Sequence, residues 1–275
     1  MIRILFLGDI VGEPGRKAVI GRVPNLKRER EIDFVIANGE NSAAGRGITP
    51  RIAIDLLRSG IAVITSGDHI WDQKEIIDYM PTEPRMLRPL NYEEGTPGNG
   101  SVVLETDKGK VAVINAQGRT FMNPPLENPF TRIDEEVRRL VDEQKVKVIF
   151  VDFHAETTSE SIAMGYHLDG KVSAVVGTHT HVQTADDRIL ENGTAHLTDA
   201  GMCGPERSVL GRNVESVVWR FKTGMPTRFP VAKGQVRLCG MIVDIDEETG
   251  KAIAVERYNE LLPLGSWIGV GFDWS

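Results

Sequence analysis

The sequence contains few cysteines, no excess of basic residues and no long apolar run. Only two cysteines occur in 275 residues, Cys203 and Cys239, and they match no C-x-x-C pattern. This usage is typical of a reducing compartment and argues against a fold held by a disulfide framework. The formal net charge of −7 argues against general nucleic-acid binding, which requires a basic surface. A small anionic substrate remains compatible with that charge if metal cations supply local positive charge.

Targeting and membrane-spanning segments are not evident either. The apolar stretch from Met1 to Leu7 has the length of one strand and leads directly into Gly8 and Asp9. No small-residue cleavage site follows it, so it does not resemble a signal peptide. No apolar run approaches the length of a transmembrane helix. We therefore expect a cytoplasmic protein without a membrane partner.

The composition that is present is that of a globular protein, with 41% hydrophobic and 26% charged residues. No internal repeat, low-complexity tract or linker divides the chain, so we expect one domain over residues 1–275. Strands and helices alternate in the first part, and the last third is rich in β patterns. These patterns predict an α/β fold of two packed sheets with helices outside.

Apolar, β-branched runs and turn signals predict the individual elements. The helix after Thr49 has the clearest end signals, with Thr49 as N-cap, Pro50 at the first position and Gly60 at the end. The other predicted helices are 14–30, 71–80, 131–144, 158–167 and 215–222. The predicted strands are 2–7, 33–37, 61–65, 101–105, 110–115, 146–153, 172–176, 188–190, 194–198, 235–246 and 252–257.

Five predicted strands end in polar residues, as α/β sheets do where they bind ligands. The most informative end follows strand 172–176, where His179 and His181 are separated by one residue. On an extended backbone, side chains at positions i and i+2 leave the same face, so both imidazoles could reach one metal ion. The complete set of strand-end residues is Asp9, Glu40, Asn41, Asp68, His69, His154, His179 and His181.

This set predicts a metal site of a particular chemistry. Carboxylates, one amide and imidazoles, without cysteine, suit Mn, Fe or Zn in mixed nitrogen and oxygen ligation. Seven or eight ligands are too many for one tetrahedral ion, and they match two ions that share a bridging carboxylate. Two such ions typically hold a phosphoryl group and activate a water molecule.

Each residue also has a structural interpretation. Asp9 could cap the following helix, Asn41 could be a turn residue, and His154 could be a hydrogen-bonded core histidine. Their coincidence at successive strand ends favours the metal site. Two further groups lack this context: His167 and His196, and the acidic residues Asp72, Asp78, Glu135, Glu136, Asp186 and Asp187. We interpret them as structural, capping or surface groups.

The strand-end motifs resemble the blocks of the calcineurin-like metallophosphoesterases. These motifs are Gly8-Asp9, Gly39-Glu40-Asn41, Gly67-Asp68-His69, the single His154 and Gly177-Thr178-His179-Thr180-His181. More closely, six segments resemble the YmdB-type metallophosphoesterases, which are small bacterial phosphodiesterases. The segments are GENSAAGRG, HIWDQKEI, LRPLNYEEGTPG, QGRTFM, DFHAETTSE and GTHTHVQTADDRIL. The resemblance extends from Met1 to about Arg257.

The resemblance implies a four-layer α/β/β/α sandwich, in which two packed mixed sheets are flanked by helices, and a dinuclear metal centre. Fe or Mn would be the native ions, with Zn as an alternative. The first ion would be held by Asp9, Glu40, Asn41 and His181. The second would be held by Asp68, His154 and His179, with Glu40 bridging the two ions. The superfamily histidine after Asp9 is replaced here by Ile10-Val11, and Asn41 takes its place in the YmdB-type pattern.

The implied activity is hydrolysis of a phosphodiester, by attack of a metal-bridging hydroxide. The substrates would be cyclic nucleotides of the 2′,3′-cyclic or 3′,5′-cyclic AMP class. His69 would protonate the leaving oxygen, a role that suits histidines because they generally ionise near neutral pH. Alternatively, His69 would be a hydrogen-bond partner of the ligands. The substrate-binding residues stay unknown, although Arg46, Arg119 and Phe121 fall in rim loops.

Other functions remain open. A phosphomonoesterase or protein phosphatase could use the same metals, and a non-catalytic regulator could use them to hold a partner surface. The spacing of Gly8, Gly12 and Gly15 departs from G-x-G-x-x-G, and Asp9 has the wrong charge for a pyrophosphate, which disfavours a dinucleotide-binding protein. The sequence leaves the oligomeric state undecided, with a homo-oligomer as one possibility.

Asp68 generates a prediction because the family pattern has asparagine at this position. A carboxylate is a harder, negatively charged ligand, so it should keep the second ion while lowering its Lewis acidity and repelling an anionic phosphate. We expect Asp68→Asn to raise turnover a few-fold at similar metal content. Elemental analysis and diester kinetics on both proteins test this. Unchanged turnover at unchanged metal content would contradict it.

Overall fold

A computed structural model describes residues 1–263 and 265 of the chain. The tail from Trp267 to Ser275, for which the sequence predicts no element, lies outside these residues. The described α-helices are α1 (Gly12–Glu29), α2 (Pro50–Arg58), α3 (Glu75–Tyr79), α4 (Pro129–Asp142), α5 (Thr158–His167) and α6 (Val214–Thr223). The strands are β1 (Ile2–Leu7), β2 (Asp9–Ile10), β3 (Phe34–Asn38), β4 (Val63–Thr65), β5 (Ser101–Thr106), β6 (Gly109–Gln117), β7 (Val148–His154), β8 (Ala174–Thr178), β9 (Arg188–Ile189), β10 (Ala195–Leu197), β11 (Met202–Pro205), β12 (Val236–Ile245) and β13 (Ala252–Leu262).

The first sheet combines the N-terminal and C-terminal parts of the chain. β1 pairs in parallel with β3, and β3 pairs in parallel with β4. On its other side β1 pairs antiparallel with β12, which also pairs antiparallel with β13 and with β11. β2 joins in parallel to β11 and completes seven strands.

The second sheet is also mixed. Its order is β5-β6-β7-β8-β10-β9. The predicted hairpin is confirmed as the antiparallel pair β5 and β6, and β6, β7, β8 and β10 then run parallel. In both sheets the parallel strands point their carboxyl ends the same way, which places the polar strand ends of each sheet along one edge.

The two sheets pack face to face and helices cover their outer faces. Alternation along β1 turns Phe6 inward, where it stacks on Phe150 of β7 with ring centroids 5.3 Å apart. Leu5 and Leu7 of β1 face outward and pack in a cluster with residues of α1 and α2. A third cluster covers the outer face of the second sheet with α4 and α5. The predicted four-layer α/β/β/α architecture is therefore confirmed.

Local signals explain where several helices begin and end. The Thr49 side chain accepts a hydrogen bond from the Ile52 amide at 3.4 Å, and Pro50 opens α2 as predicted. Asn128 caps α4 by accepting from the Phe130 amide at 3.0 Å. The helix predicted at 71–80 is shorter, because the turn before Glu75 is tied to other loops: the Gln73 side chain donates to the Arg46 carbonyl at 2.9 Å.

Two strands lie outside the sequence prediction. β2 pairs with β11, and β11 also pairs with β12, over two residue pairs at each contact. Such short pairing is decided by distant parts of the chain and leaves little local periodicity. In the described part of the chain, no helix is both long and apolar enough to cross a membrane.

Candidate metal centre

The predicted site residues meet at one edge of the sandwich, where strands of both sheets end. Asp9 follows β1, Glu40 and Asn41 follow β3, and Asp68 follows β4. From the second sheet, His154 closes β7, and His179 and His181 follow β8. Both sheets therefore contribute ligands, and the site lies across the junction between them.

Four of these residues form a tight group. One ligand atom each from Glu40, Asp68, His154 and His179 lies within 4.8 Å of the others. His154 Nε2 is at the centre of this group, 3.2 Å from Glu40 Oε1, 3.1 Å from Asp68 Oδ1 and 3.0 Å from His179 Nδ1. Oxygen and nitrogen atoms that converge on one point with their lone pairs can act together as the ligands of a divalent cation.

A second group shares Glu40 with the first. The Asn41 amide nitrogen lies 2.9 Å from Glu40 Oε1, 3.5 Å from Asp9 Oδ1 and 3.2 Å from His181 Nε2. His181 Nε2 is 3.8 Å from Asp9 Oδ1. The Asn41 NH₂ group thus lies where acceptor atoms of Asp9, Glu40 and His181 converge. A cation could bind at this point if the Asn41 side chain turned its amide oxygen toward the cation.

Two glycines permit this approach of strand ends. A Cβ on Gly67 would lie 2.2 Å from His154 Nε2 and 2.4 Å from Glu40 Oε2, inside the first group. A Cβ on Gly177 would lie 1.8 Å from the Thr198 carbonyl oxygen, because β8 meets the 198–199 backbone closely. A larger residue at Gly67 would displace ligands, and one at Gly177 would displace the 198–199 backbone.

The two histidines after β8 do not lie on extended backbone, so that part of the sequence interpretation is wrong. His179 has φ 108° and His181 has φ 65°, both in the left-handed region. The bend is held by carboxylates: Asp9 accepts from the His179 amide at 3.2 Å, and Asp199 from the Thr180 amide at 3.0 Å. The bend directs the two imidazoles to different groups, and strain of this kind often marks functional sites.

Each of the three imidazoles is held at the ring nitrogen that faces away from the ligand groups. His154 Nδ1 is 2.9 Å from Thr178 Oγ1, and His181 Nδ1 is 3.1 Å from the Leu210 carbonyl oxygen. His179 Nε2 is 3.0 Å from Glu156 Oε2. This arrangement, with one nitrogen directed at the site and the other bonded to oxygen, is the usual environment of metal-binding histidine.

The buried carboxylate of Asp152 supports the first group through hydrogen bonds. Thr178 Oγ1 donates to Asp152 Oδ1 at 2.7 Å, so it is free to accept from His154 Nδ1. Asn38 Nδ2 and the Thr65 hydroxyl also donate to Asp152. Burial raises the pKa of Asp152 to about 6. Burial, followed by the charge of Asp9, raises the pKa of Asp199 to about 7.

The electrostatics of the site favour a cation. Burial opposes protonation of His154, but the charge of Glu40 and the hydrogen bond that the ring makes with Asp68 outweigh it and raise its pKa above 6.5. His179 follows the same rule, since its bond to Asp68 overcomes desolvation and raises its pKa. The imidazoles conversely lower the pKa of Asp68 against the effect of burial. The ligand set therefore favours positive charge in its midst, and the residues present fit metal ions.

His69 lies beside the ligands rather than among them. Its amide donates to Glu40 Oε2 at 3.3 Å, and its Nδ1 is 3.3 Å from Asp72 Oδ2 and 3.4 Å from Arg46 Nη2. Arg46 Nε also bonds Asp72 Oδ2 at 2.8 Å. Within residues 1–263 and 265, His69 Nε2 has no hydrogen-bond partner. The ring is therefore positioned through one nitrogen while the other stays available.

Sequence reasoning missed several residues of the site. Asp72 is interpreted above as a capping or surface group, and Glu156, Asp152, Thr178, Leu210 and Asp199 are not among the predicted residues. Thr178, Asp152 and Glu156 lie within two residues of predicted ligands, and Asp72 lies three residues after His69, so their positions in the sequence are a signal. The others reach the site from loops, so nothing in their local sequence marks them. His167 bonds Asp134 at 2.8 Å, in agreement with its structural interpretation.

Comparisons with known proteins agree with this geometry. A family model described as YmdB-like protein matches residues 5–258. A Bacillus subtilis (strain 168) protein named 2′,3′-cyclic-nucleotide 2′-phosphodiesterase is 50% identical over 256 residues, covering 93% of this chain and 96% of that protein.

Two solved structures are similar over nearly the whole chain. A hypothetical protein from Thermus thermophilus has a TM-score of 0.87 and 40% identity, covering 95% of this chain and 100% of that chain. A novel phosphatase from Mycoplasma pneumoniae has a TM-score of 0.89 and 35% identity, covering 98% of this chain and 97% of that chain. The similarity therefore includes all the strand ends that build the site.

The raised histidine pKa values predict that metal binding strengthens with pH. Below these pKa values protons occupy His154 and His179, and a metal ion must displace them. We expect the affinity for Mn²⁺ to rise by about tenfold or more between about pH 6 and pH 8, with release of protons. Calorimetric titration in two buffers of different ionisation enthalpy measures both quantities. His167→Ala should behave like the wild type, and an affinity independent of pH would contradict the assignment.

Proposed function

Because this chain belongs to the YmdB-like protein family, we propose that it is a metal-dependent phosphodiesterase that hydrolyses cyclic nucleotides. The substrates are of the 2′,3′-cyclic or 3′,5′-cyclic AMP class. The observation that carries the proposal is the convergence of three imidazoles, each held at its far nitrogen, on the carboxylates of Asp9, Glu40 and Asp68. The name of the Bacillus subtilis relative supports the 2′,3′-cyclic class.

Two ions would bind, one in each ligand group. Asp9, Glu40, Asn41 and His181 would hold the first ion. Asp68, His154 and His179 would hold the second, with Glu40 shared between them. Fe or Mn suits this mixture of nitrogen and oxygen donors, and Zn is a further candidate. When bound, the ions supply an activated water molecule and positive charge for the phosphoryl oxygens.

The reaction requires a proton for the leaving group, and His69 is the residue placed to give it. For a 2′,3′-cyclic substrate, water adds to phosphorus, the P–O2′ bond breaks and O2′ takes a proton. His69 Nδ1 faces the Asp72 carboxylate at 3.3 Å, and this contact fixes the orientation of the ring. Its Nε2, which has no hydrogen-bond partner among the described residues, then donates the proton to O2′, and Asp72 acts as a positioning residue.

The substrate approaches from the partly exposed side of the site. Asp9, Glu40 and His154 are buried, whereas His69, His179 and Arg46 retain exposed surface. Arg46 is 62% exposed and is the cation of this rim that lies next to His69. We propose that its guanidinium, beyond holding Asp72, neutralises part of the substrate's charge.

The acidic character of the site favours a diester over a monoester. Asp68 adds a carboxylate to the first group, and Glu156 lies at the rim beside His179. These charges repel a dianionic monoester more than a monoanionic diester. The second candidate is therefore a phosphomonoesterase or protein phosphatase. The other candidate is a regulator that uses the metals only for binding.

Two further properties belong to this proposal. We propose that residues 1–275 form one domain, which is supported by a core cluster that draws on both sheets. We also propose a cytoplasmic location, which is supported by the two free, buried cysteines.

The function is tested by metal analysis combined with turnover. Protein purified without added metal should contain close to two Fe, Mn or Zn ions per chain. It should convert 2′,3′-cyclic AMP to the 3′-monophosphate and prefer bis-nitrophenyl phosphate to mono-nitrophenyl phosphate. His154→Ala serves as a metal-deficient control. Preference for the monoester would favour the phosphomonoesterase, and a fully metallated protein without turnover would favour the regulator.

The acid role of His69 predicts a dependence on the leaving group. His69→Gln should lower kcat by about 100-fold or more for a ribose leaving group, which needs the proton. For nitrophenolate, which leaves without one, the loss should be about tenfold or less. Asp72→Asn should also lower kcat more for the ribose leaving group than for nitrophenolate, with smaller losses than His69→Gln. His167→Gln is the matched control. Equal losses with both substrates would refute this role.

A further inference from the structure

α6 carries an apolar face that none of residues 1–263 and 265 covers. α6 buries only Val217. On the opposite side, Glu215, Val218, Trp219 and Lys222 follow the spacing that places side chains on one helical face. Val218 and Trp219 are each 45% exposed. These four residues are called the α6 face below.

The segment after α6 extends this surface. All ten residues from 221 to 230 are exposed, and they include Phe221 at 83%, Met225 at 57% and Phe229 at 40%. On areas typical of such side chains, the exposed apolar surface here is on the order of several hundred Å². A patch of this size marks an interaction surface more often than ordinary solvent-exposed residues do.

Among the residues that the structure describes, the hydrogen bonds that tie α6 to other segments lie at its N-terminal end. Asn213 caps the helix by accepting from the Ser216 amide at 2.9 Å, and its own amide donates to the Pro230 carbonyl at 2.9 Å. Arg212 donates to the carbonyl oxygens of Ala44 and Phe229, each at 3.1 Å. Isolated helices of this length are marginal in water and depend on packing of a face. Val217 is the buried contact of α6, and cover over the α6 face would add to the stability of the helix.

We propose that a second copy of this chain covers the α6 face, with the two α6 helices antiparallel about a two-fold axis. An axis between Val218 and Trp219 places Glu215 of each helix opposite Lys222 of the other, forming two ion pairs. Trp219 and Val218 then fill the centre between them. The face is therefore complementary to itself, as a two-fold interface requires, with an apolar centre and a charged rim.

The charges on the α6 face favour a second copy of this chain over a nucleic acid or an anionic membrane. Among the residues that the structure describes, Lys222 has no ion-pair partner, and Glu215 accepts a hydrogen bond from the Asn213 side-chain amide at 2.7 Å. A nucleic acid or an anionic membrane would attract Lys222 and repel Glu215 on the same face. A second copy satisfies both charges at once.

Charge exchange on the full-length protein tests the proposal. Sedimentation equilibrium should give twice the chain mass of 30.4 kDa for the wild type. Glu215→Lys and Lys222→Glu each create like-charge contacts and should each raise the dimer dissociation constant by about tenfold or more. The double variant restores the pairs and should dimerise again, and the two single variants should form a mixed dimer. Trp219→Ser should weaken association in every background.

The matched control is Asp107→Lys, which makes the same charge change in the exposed turn between β5 and β6 and should leave the dimer intact. Circular dichroism reports whether each variant folds. A monomeric wild type, or a dimer that neither single exchange weakens, would overturn the proposal. So would a double variant that stays monomeric. Binding of a labelled oligonucleotide or anionic vesicles by a monomer, lost in Trp219→Ser, would assign the face to that partner instead.

Discussion

Electrostatic crowding at the junction of the two sheets is the constraint on which the site depends. Asp9, Glu40 and Asp68 arrive at the ends of three strands of one sheet, and His154 and His179 arrive from the other. Carboxylates so close together are unfavourable unless positive charge lies between them. Imidazoles can carry that charge when protonated, and metal ions could provide it in a form that also serves catalysis. The same crowding accounts for the raised pKa values of His154 and His179.

The scaffold around the ligands is organised to hold this crowded arrangement. Glycines 67 and 177 allow backbone and side chains to approach within distances that a Cβ would prevent. Asp9 and Asp199 hold the strained bend after β8 through backbone amides. The bonds to Thr178, Glu156 and the Leu210 carbonyl orient the imidazoles. Leu210 also belongs to the connection that leads into α6, so the site and the exposed helix share one stretch of chain.

Much of the fold and the ligand set could be predicted from local features. Buried strands are marked by apolar, β-branched runs, and α2 by its capping residues, because these signals depend on neighbours in sequence. The ligands could be predicted because parallel strands bring their carboxyl ends to one edge, so polar residues there converge wherever the helices lie. The short strands β2 and β11 could not be predicted, since their pairing is with distant segments.

The sequence by itself therefore determined the residue types and their positions at the strand ends, and hence the class of metal chemistry. Only the tertiary structure decided how those residues act. It placed Arg46 against His69, and Glu156 against His179, although no local pattern marks these contacts. It also bent the backbone at His179 and His181, where alternation predicts an extended strand. The physical reason is that side-chain orientation depends on loops from both sheets, whose closure is set by packing far along the chain.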